Sequence, residues 1–314
     1  MKSGVKAESY AGCLKDITLE DSRLVVLTAE NRAAIREITD SLEGRFIDVG
    51  IAEQAMIGIA AGLALRGRIP VVHALAAFLT MRGFEFIRTD IGIPGLPVKL
   101  VGGVPGFLST ANGPTHQAIE DIALMRLVPA MQIFCPSDEA DMLIGLKTMI
   151  DSPAPCYMRY NDLHPVTDHS PAFEIGKAEV ISPGEDVMIL TYGILLKEAI
   201  TAREILKTKG ISAGVVNMRT LKPVDEELIV EAASRRSLIV ALEDHFHSGG
   251  LYSIICEILT ARRVPGNVMP INLKDRWFRP APLQDVLFSE RFRGEDIAES
   301  IAKELEKHAE YARS

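Results

Sequence analysis

The sequence is short of several features that would tie it to a special environment. Only four cysteines occur in 314 residues, Cys13, Cys135, Cys156 and Cys256, and no two form a CxxC pair. A disulfide framework is excluded, and the pattern reads as reduced, buried thiols in a cytoplasmic protein. Positive charge is also scarce. Against 42 Asp and Glu stand 34 Lys and Arg, giving a net charge of −8. Nucleic acid and anionic membrane are therefore poor candidates for the main partner. The longest apolar run, residues 56–65, is far too short to span a bilayer. The start of the chain is charged and lacks an apolar segment, so no signal peptide is expected. Neither repeats nor low-complexity stretches are present. What remains, 47% apolar and 24% charged, is ordinary globular composition at a length that suggests two domains.

The residue pattern alternates apolar runs with helical spacing. Residues 23–30, 68–78, 96–106 and 130–138 read as strands; 53–65, 80–93, 116–128 and 139–149 read as helices. This rhythm predicts a parallel sheet covered by helices on both faces. Pro, Asp, His and Ser concentrate over 161–185, which suits an inter-domain connection. A second alternating series follows. Strands are expected at 187–193, 212–223, 237–244 and 268–275, helices at 195–209, 225–234 and 249–262, and two short helices at the end. The expected fold is α/β, with two doubly wound sheets in domains 1–170 and 171–314.

Open α/β sheets bind ligands at the carboxyl ends of their strands. Candidates therefore lie at Glu53 and Gln54, at 73–78, at 102–116 and at 243–247. Glu53 opens an apolar, small-residue helix, where a buried carboxylate is costly unless paired or protonated. Alone, it is better explained as a first-turn acid steadied by the helix dipole. The loop 109–117 reads STANGPTHQ, with a turn at Asn112-Gly113-Pro114 and with Thr115 placed to cap a helix beginning near His116. His116 would then face the strand-end crevice.

Taken together and in order, RFIDVGIAEQAMIGIAAGLAL (45–65), GRIPVV (67–72), the F…R.FE.IR pattern from Phe78, GPTHQAIEDIALMRLVPAMQIFCPSDEAD (113–141) and EDHFHSGGL (243–251) resemble the transketolase family. The likeness runs over about residues 20 to 310. It implies a pyrimidine-binding thiamine diphosphate domain followed by a transketolase C-terminal-like domain. Glu53 resembles the glutamate that bonds N1′ of the cofactor's aminopyrimidine and favours the imino tautomer, which takes the proton from thiazolium C2. Phe78 resembles the aromatic that stacks on that ring. Ile51, Leu75 and Met81 would complete the cofactor pocket, the last two standing where many members carry further aromatics. His116 resembles the histidine beside the reacting carbonyl oxygen, and Arg159 an arginine that binds a sugar phosphate; a salt bridge explains Arg159 equally well. Asn112 falls on a substrate-binding position. His73 is a substitute polar group at best, and a satisfied core histidine is the simpler reading.

Two departures qualify the resemblance. No GDG triplet is present, and the GED runs at Gly184 and Gly294 do not follow strands as that motif requires. The expectation is a split enzyme of α2β2 type. An N-terminal subunit carrying GDG would hold Mg²⁺ and the diphosphate, this chain would ligate no metal, and two copies of it would pair. Second, Asn112 replaces the family's usual Asp and Val104 its usual His, so hydroxyl recognition near C1 to C3 changes. The leading expectation is two-carbon ketol transfer from an unusual ketose (phosphate) donor to an aldose. The alternatives are a 1-deoxyxylulose-5-phosphate synthase-like or 2-oxo acid decarboxylating enzyme, and a non-catalytic scaffold subunit.

Overall fold

The computed structural model describes residues 9–110 and 112–311. Twelve strands are β1 (Leu24–Thr28), β2 (Phe46–Asp48), β3 (Ile69–Leu75), β4 (Lys99–Gly103), β5 (Gln132–Phe134), β6 (Cys156–Arg159), β7 (Glu179–Ser182), β8 (Val187–Thr191), β9 (Ala213–Asn217), β10 (Thr220–Lys222), β11 (Leu238–Leu242) and β12 (Val268–Ile271). They form a seven-stranded sheet, β10-β5-β6-β4-β3-β1-β2, and a five-stranded sheet, β12-β11-β8-β9-β7. Among the described residues, only the β10–β5 and β7–β9 pairs are antiparallel. The central strands LVVLT, VMILT and LIVAL are buried throughout. That is why they read as continuous apolar runs rather than alternating ones.

The α/β rhythm is present, with differences that have physical causes. Thr220–Lys222 lies in the second half of the sequence yet pairs with β5, so the first sheet recruits a strand from beyond residue 170. The Tyr10–Glu20 helix, capped by the Ser9 side chain accepting from the Gly12 N–H at 3.1 Å, had no strong periodic signal. The helix expected to begin at His116 begins at Asp121 and ends at Arg126. Thr115 caps nothing; its Oγ1 bonds the His116 ring at 2.9 Å. Residues 78–92 are helical but wound wide, as π turns at Phe78–Arg82 and Ile87–Gly92 around a short α turn. The closing helices are unequal, Leu283–Ser289 and an 18-residue Gly294–Tyr311.

A single apolar cluster runs from Leu27 and Met56 through Met125 and Tyr157 to Met188 and Leu251, joining the two sheets. Among the described residues no helix is long and apolar enough to cross a membrane. Cys135 and Cys156 are buried, and burial pushes the Cys156 thiol up to about 12. Cys13 and Cys256 are partly exposed instead.

Candidate active site

The site forms where β1, β2 and β3 end. Asp48 at the end of β2 shapes the turn into the next helix. It accepts from the N–H of Gly50 at 2.9 Å, from the N–H of Glu30 at 3.1 Å and from Arg32 Nη2 at 2.6 Å. Burial opposes its charge, but these bonds outweigh it and hold the carboxyl below its usual range. Gly50 turns with φ +72°, a conformation costly for a side-chain-bearing residue. The turn delivers Glu53 as the first residue of the Glu53–Leu65 helix, with no side-chain cap at Ala52. The helix carries small residues at Ala60, Ala61 and Ala64 that pack flat on the sheet, and Glu53 is only 2% exposed.

β3 leads into the wide helical turn that carries Phe78. Glu53, Phe78, Leu75 and Ile51 line one cleft of about 230 Å³. Ile51 projects from it, 77% exposed. His116 packs against the Phe78 ring at 4.9 Å between centroids, crossed at 61°. Met81 sits behind Phe78 against Ala76, Ala77 and Ala118. Asn112 lies exposed in the loop that carries His116. An adjoining cavity of about 290 Å³ shares Leu75 with this cleft and is lined by His73 and Val104. His73 bonds Tyr10 Oη through Nε2 at 2.8 Å. Burial lowers its pKa to about 4, so the imidazole is neutral.

Two arginines are held in ion pairs near the site. Arg159 is 3% exposed and fully engaged. Its Nε donates to Asp121 at 3.0 Å, its Nη1 to Asp244 at 2.7 Å and its Nη2 to the Ala118 carbonyl at 3.5 Å. Tyr157 adds its hydroxyl to Asp121 at 2.6 Å. Of the two readings the sequence leaves level for Arg159, the structure shows the ion pair, buried rather than at the surface: Asp244, from just past β11, reaches across the domain contact to the guanidinium. Gly106 permits the approach, since a Cβ there would overlap Asp244 Oδ2. The second is Arg82, the R of the F…R.FE.IR pattern, to which the sequence assigns no role. Its Nη1 donates to both oxygens of Glu53, at 2.9 and 3.1 Å. Its position four residues after Phe78 was the available signal, because such pairs share a helix face.

A further polar cluster lies under the inter-domain connection. Asp141, His169 and Glu179 approach within 4.8 Å of one another. Both His169 nitrogens already bond carboxylates, Asp138 at 2.9 Å and Glu179 at 2.7 Å, and Arg219 Nε stands 2.7 Å from Asp141. Three carboxylates, Asp138, Asp141 and Glu179, are thus met by two cations, His169 and Arg219, and the Asn217 amide of β9 adds a bond to Asp141 at 2.8 Å.

The residues fit one half of a thiamine cofactor. Glu53 offers a buried acceptor, and Phe78 offers a flat face in the same cleft. The Arg82 guanidinium, a planar N–H donor, occupies that place with its central carbon 4.2 Å from the Phe78 centroid.

Comparison with known proteins agrees with this geometry. Residues 7–163 match the family model of the transketolase pyrimidine binding domain, and residues 176–308 match that of the transketolase C-terminal domain. The 6-deoxy-6-sulfo-D-fructose transketolase subunit SqwH of Clostridium sp. (strain MSTE9) is 36% identical over 80% of each chain. A transketolase C-terminal section of Methanocaldococcus jannaschii is 33% identical over 96% of each. A 1-deoxy-D-xylulose-5-phosphate synthase of Dictyoglomus thermophilum is 38% identical, but this chain spans 43% of its length. Among solved structures, a split gene transketolase crystallised as an inactive β4 tetramer superposes with a TM-score of 0.85 at 35% identity, over 94% of this chain and 96% of that one. With both sheets matched in order, and two relatives aligned along most of their own lengths, the chain belongs to the transketolase family.

Proposed function

We propose that this chain is the C-terminal subunit of a split, thiamine diphosphate-dependent transketolase. The observation that carries the reading is that Glu53 and Phe78 line one cleft at the strand ends, with His116 packed on the Phe78 ring. Thiamine diphosphate, when bound, supplies the carbon nucleophile and the electron sink for C–C cleavage. Glu53 would accept from or share a proton with the aminopyrimidine ring, its own side chain being 3% exposed. Phe78 would hold the ring by its face, with Leu75, Ile51 and Met81 around it. His116 would stand by the substrate carbonyl oxygen and steady its developing charge.

The diphosphate and Mg²⁺ would be held by a partner subunit bearing GDG, because this chain contains no such triplet. Similarity over 96% of a transketolase C-terminal section and 80% of a transketolase subunit supports that division. Self-association is part of the reading, and the tetrameric state of the split gene relative supports it. Substrates would be a ketose donor and an aldose acceptor. Neither Asn112 nor Val104 offers the charged or imidazole group usual in the family, which favours an uncommon donor. His73 faces the adjoining cavity as a neutral polar group. Arg159, committed to two aspartates, is not available to a phosphate in this arrangement.

The test is co-expression with a GDG-bearing subunit, followed by ketol-transfer assays with thiamine diphosphate and Mg²⁺ across a panel of ketoses. Turnover supports the reading. Failure to turn over any ketose or ketose phosphate overturns it, and CO₂ release from pyruvate would redirect it to a synthase of the deoxyxylulose kind.

A further inference from the structure

Of the two acids that line the cleft, Glu30 is exposed and Glu53 is buried, and the Glu53 carboxylate is taken. The Arg82 side chain that reaches it is 43% exposed, whereas the Glu53 side chain is 3% exposed. The guanidinium donates to both Glu53 oxygens at 2.9 and 3.1 Å and lies over the Phe78 ring at 4.2 Å. One planar cation thus makes the two contacts that an aminopyrimidine would make here, a donor to Glu53 and a face on Phe78. Two planar groups cannot share one such place. The asymmetry of exposure says which can leave: the arginine can swing into solvent, and the glutamate cannot.

We propose that Arg82 is the residue that sets the affinity of the cofactor site, by standing in for the ring until the ring displaces it. The proposal rests on the assignment of Glu53 and Phe78 made above. Its physical basis is the cost of a buried, unpaired carboxylate. A chain that folds before it meets cofactor must neutralise Glu53, and a flat, always-charged guanidinium suits both the carboxylate and the ring face. The consequence is a weaker apparent affinity, because only the fraction of molecules with Arg82 swung out can bind. Arg82 is well placed for this: Phe78 and Arg82 begin and end a single wide helical turn, so both project toward the same cleft.

The test is calorimetric titration of the full-length chain with 4-amino-5-hydroxymethyl-2-methylpyrimidine. This probe carries the ring without thiazolium or diphosphate, so no partner subunit is needed. The titration is then repeated with thiamine diphosphate on the reconstituted pair. Arg82→Gln is expected to bind the probe about tenfold more tightly than wild type, by releasing the closed fraction. Arg82→Lys keeps the charge without the flat fork and is expected to fall between them. Far-UV circular dichroism establishes that each variant is folded. Both variants binding as wild type does, or more weakly, overturns the proposal. If Glu53→Ala and Phe78→Ala leave probe binding unchanged, the cofactor assignment falls and the proposal with it.

Discussion

Glu53 begins its helix at a position where backbone N–H groups have no helical partners and negative charge is favoured. A local sequence window gives no further reason for an acid there. Burial to 2% exposure gives one, because a carboxylate so placed must be matched to something. Glu53→Ala in the reconstituted pair should therefore lower kcat by about 100-fold or more, the usual reach of a proton-transfer group, and weaken cofactor binding as well. Unchanged steady-state kinetics in an assembled complex would remove Glu53 from the mechanism. Val104 illustrates the opposite case. Its φ of +47° is left-handed, a conformation that a β-branched residue resists. Val104→Asn should raise stability by about 1 kcal/mol by relieving that strain, read from the denaturant midpoint; a lower midpoint would show that the side chain is needed as a wall of the adjoining cavity. The sequence singles out Val104 by its chemistry, not its backbone, because a dihedral angle is not a property of residue type.

Among the elements, the inter-domain connection depends most on charge. His169 is pinned between Asp138 and Glu179. Burial works against its protonation, but the two carboxylates outweigh burial and push the pKa up to about 10 from 6.5. A raised folded-state pKa gives stability that is complete below about pH 6.5 and is lost as pH climbs toward 10. Asp138 and Glu179 are both held below their usual range, although burial opposes this, chiefly by their bonds to His169. Their contribution runs the other way and is lost on acidification. Thermal melts from pH 6 to 10 should thus decline more steeply for wild type than for His169→Gln; parallel curves would refute the assignment. Arg159 is the companion case. Arg159→Met leaves Asp121 and Asp244 buried without their cation, and should cost about 3–5 kcal/mol in unfolding free energy. A loss of substrate affinity without a loss of stability would instead return Arg159 to the substrate. None of these pairs is visible in sequence, because Arg159 and Asp244 lie on different domains and meet only when both have folded.

At the scale of the whole molecule, large apolar side chains remain uncovered on the helical layer beside the first sheet: Ile59 at 41%, Phe86 at 37%, Leu65 at 70% and Ile93 at 72% exposed. Surface of this kind marks an interaction site when it is contiguous. Ile93→Asp should weaken self-association or partner capture, with light scattering showing a smaller particle; an unchanged mass would place the interface elsewhere. By itself the sequence determined the alternation of strands and helices, the two-sheet plan, and the order Glu53, Phe78, His116, since these follow from local periodicity and from motifs carried on short segments. Only the tertiary structure decided that Arg82 sits on Glu53, that Asp244 claims Arg159, and that Thr220–Lys222 completes a sheet begun far upstream. The reason is common to all three. Each depends on a contact between segments whose spacing along the chain carries no information about their distance in space, and burial leaves Glu53, Arg159 and the β5 edge no solvent to turn to.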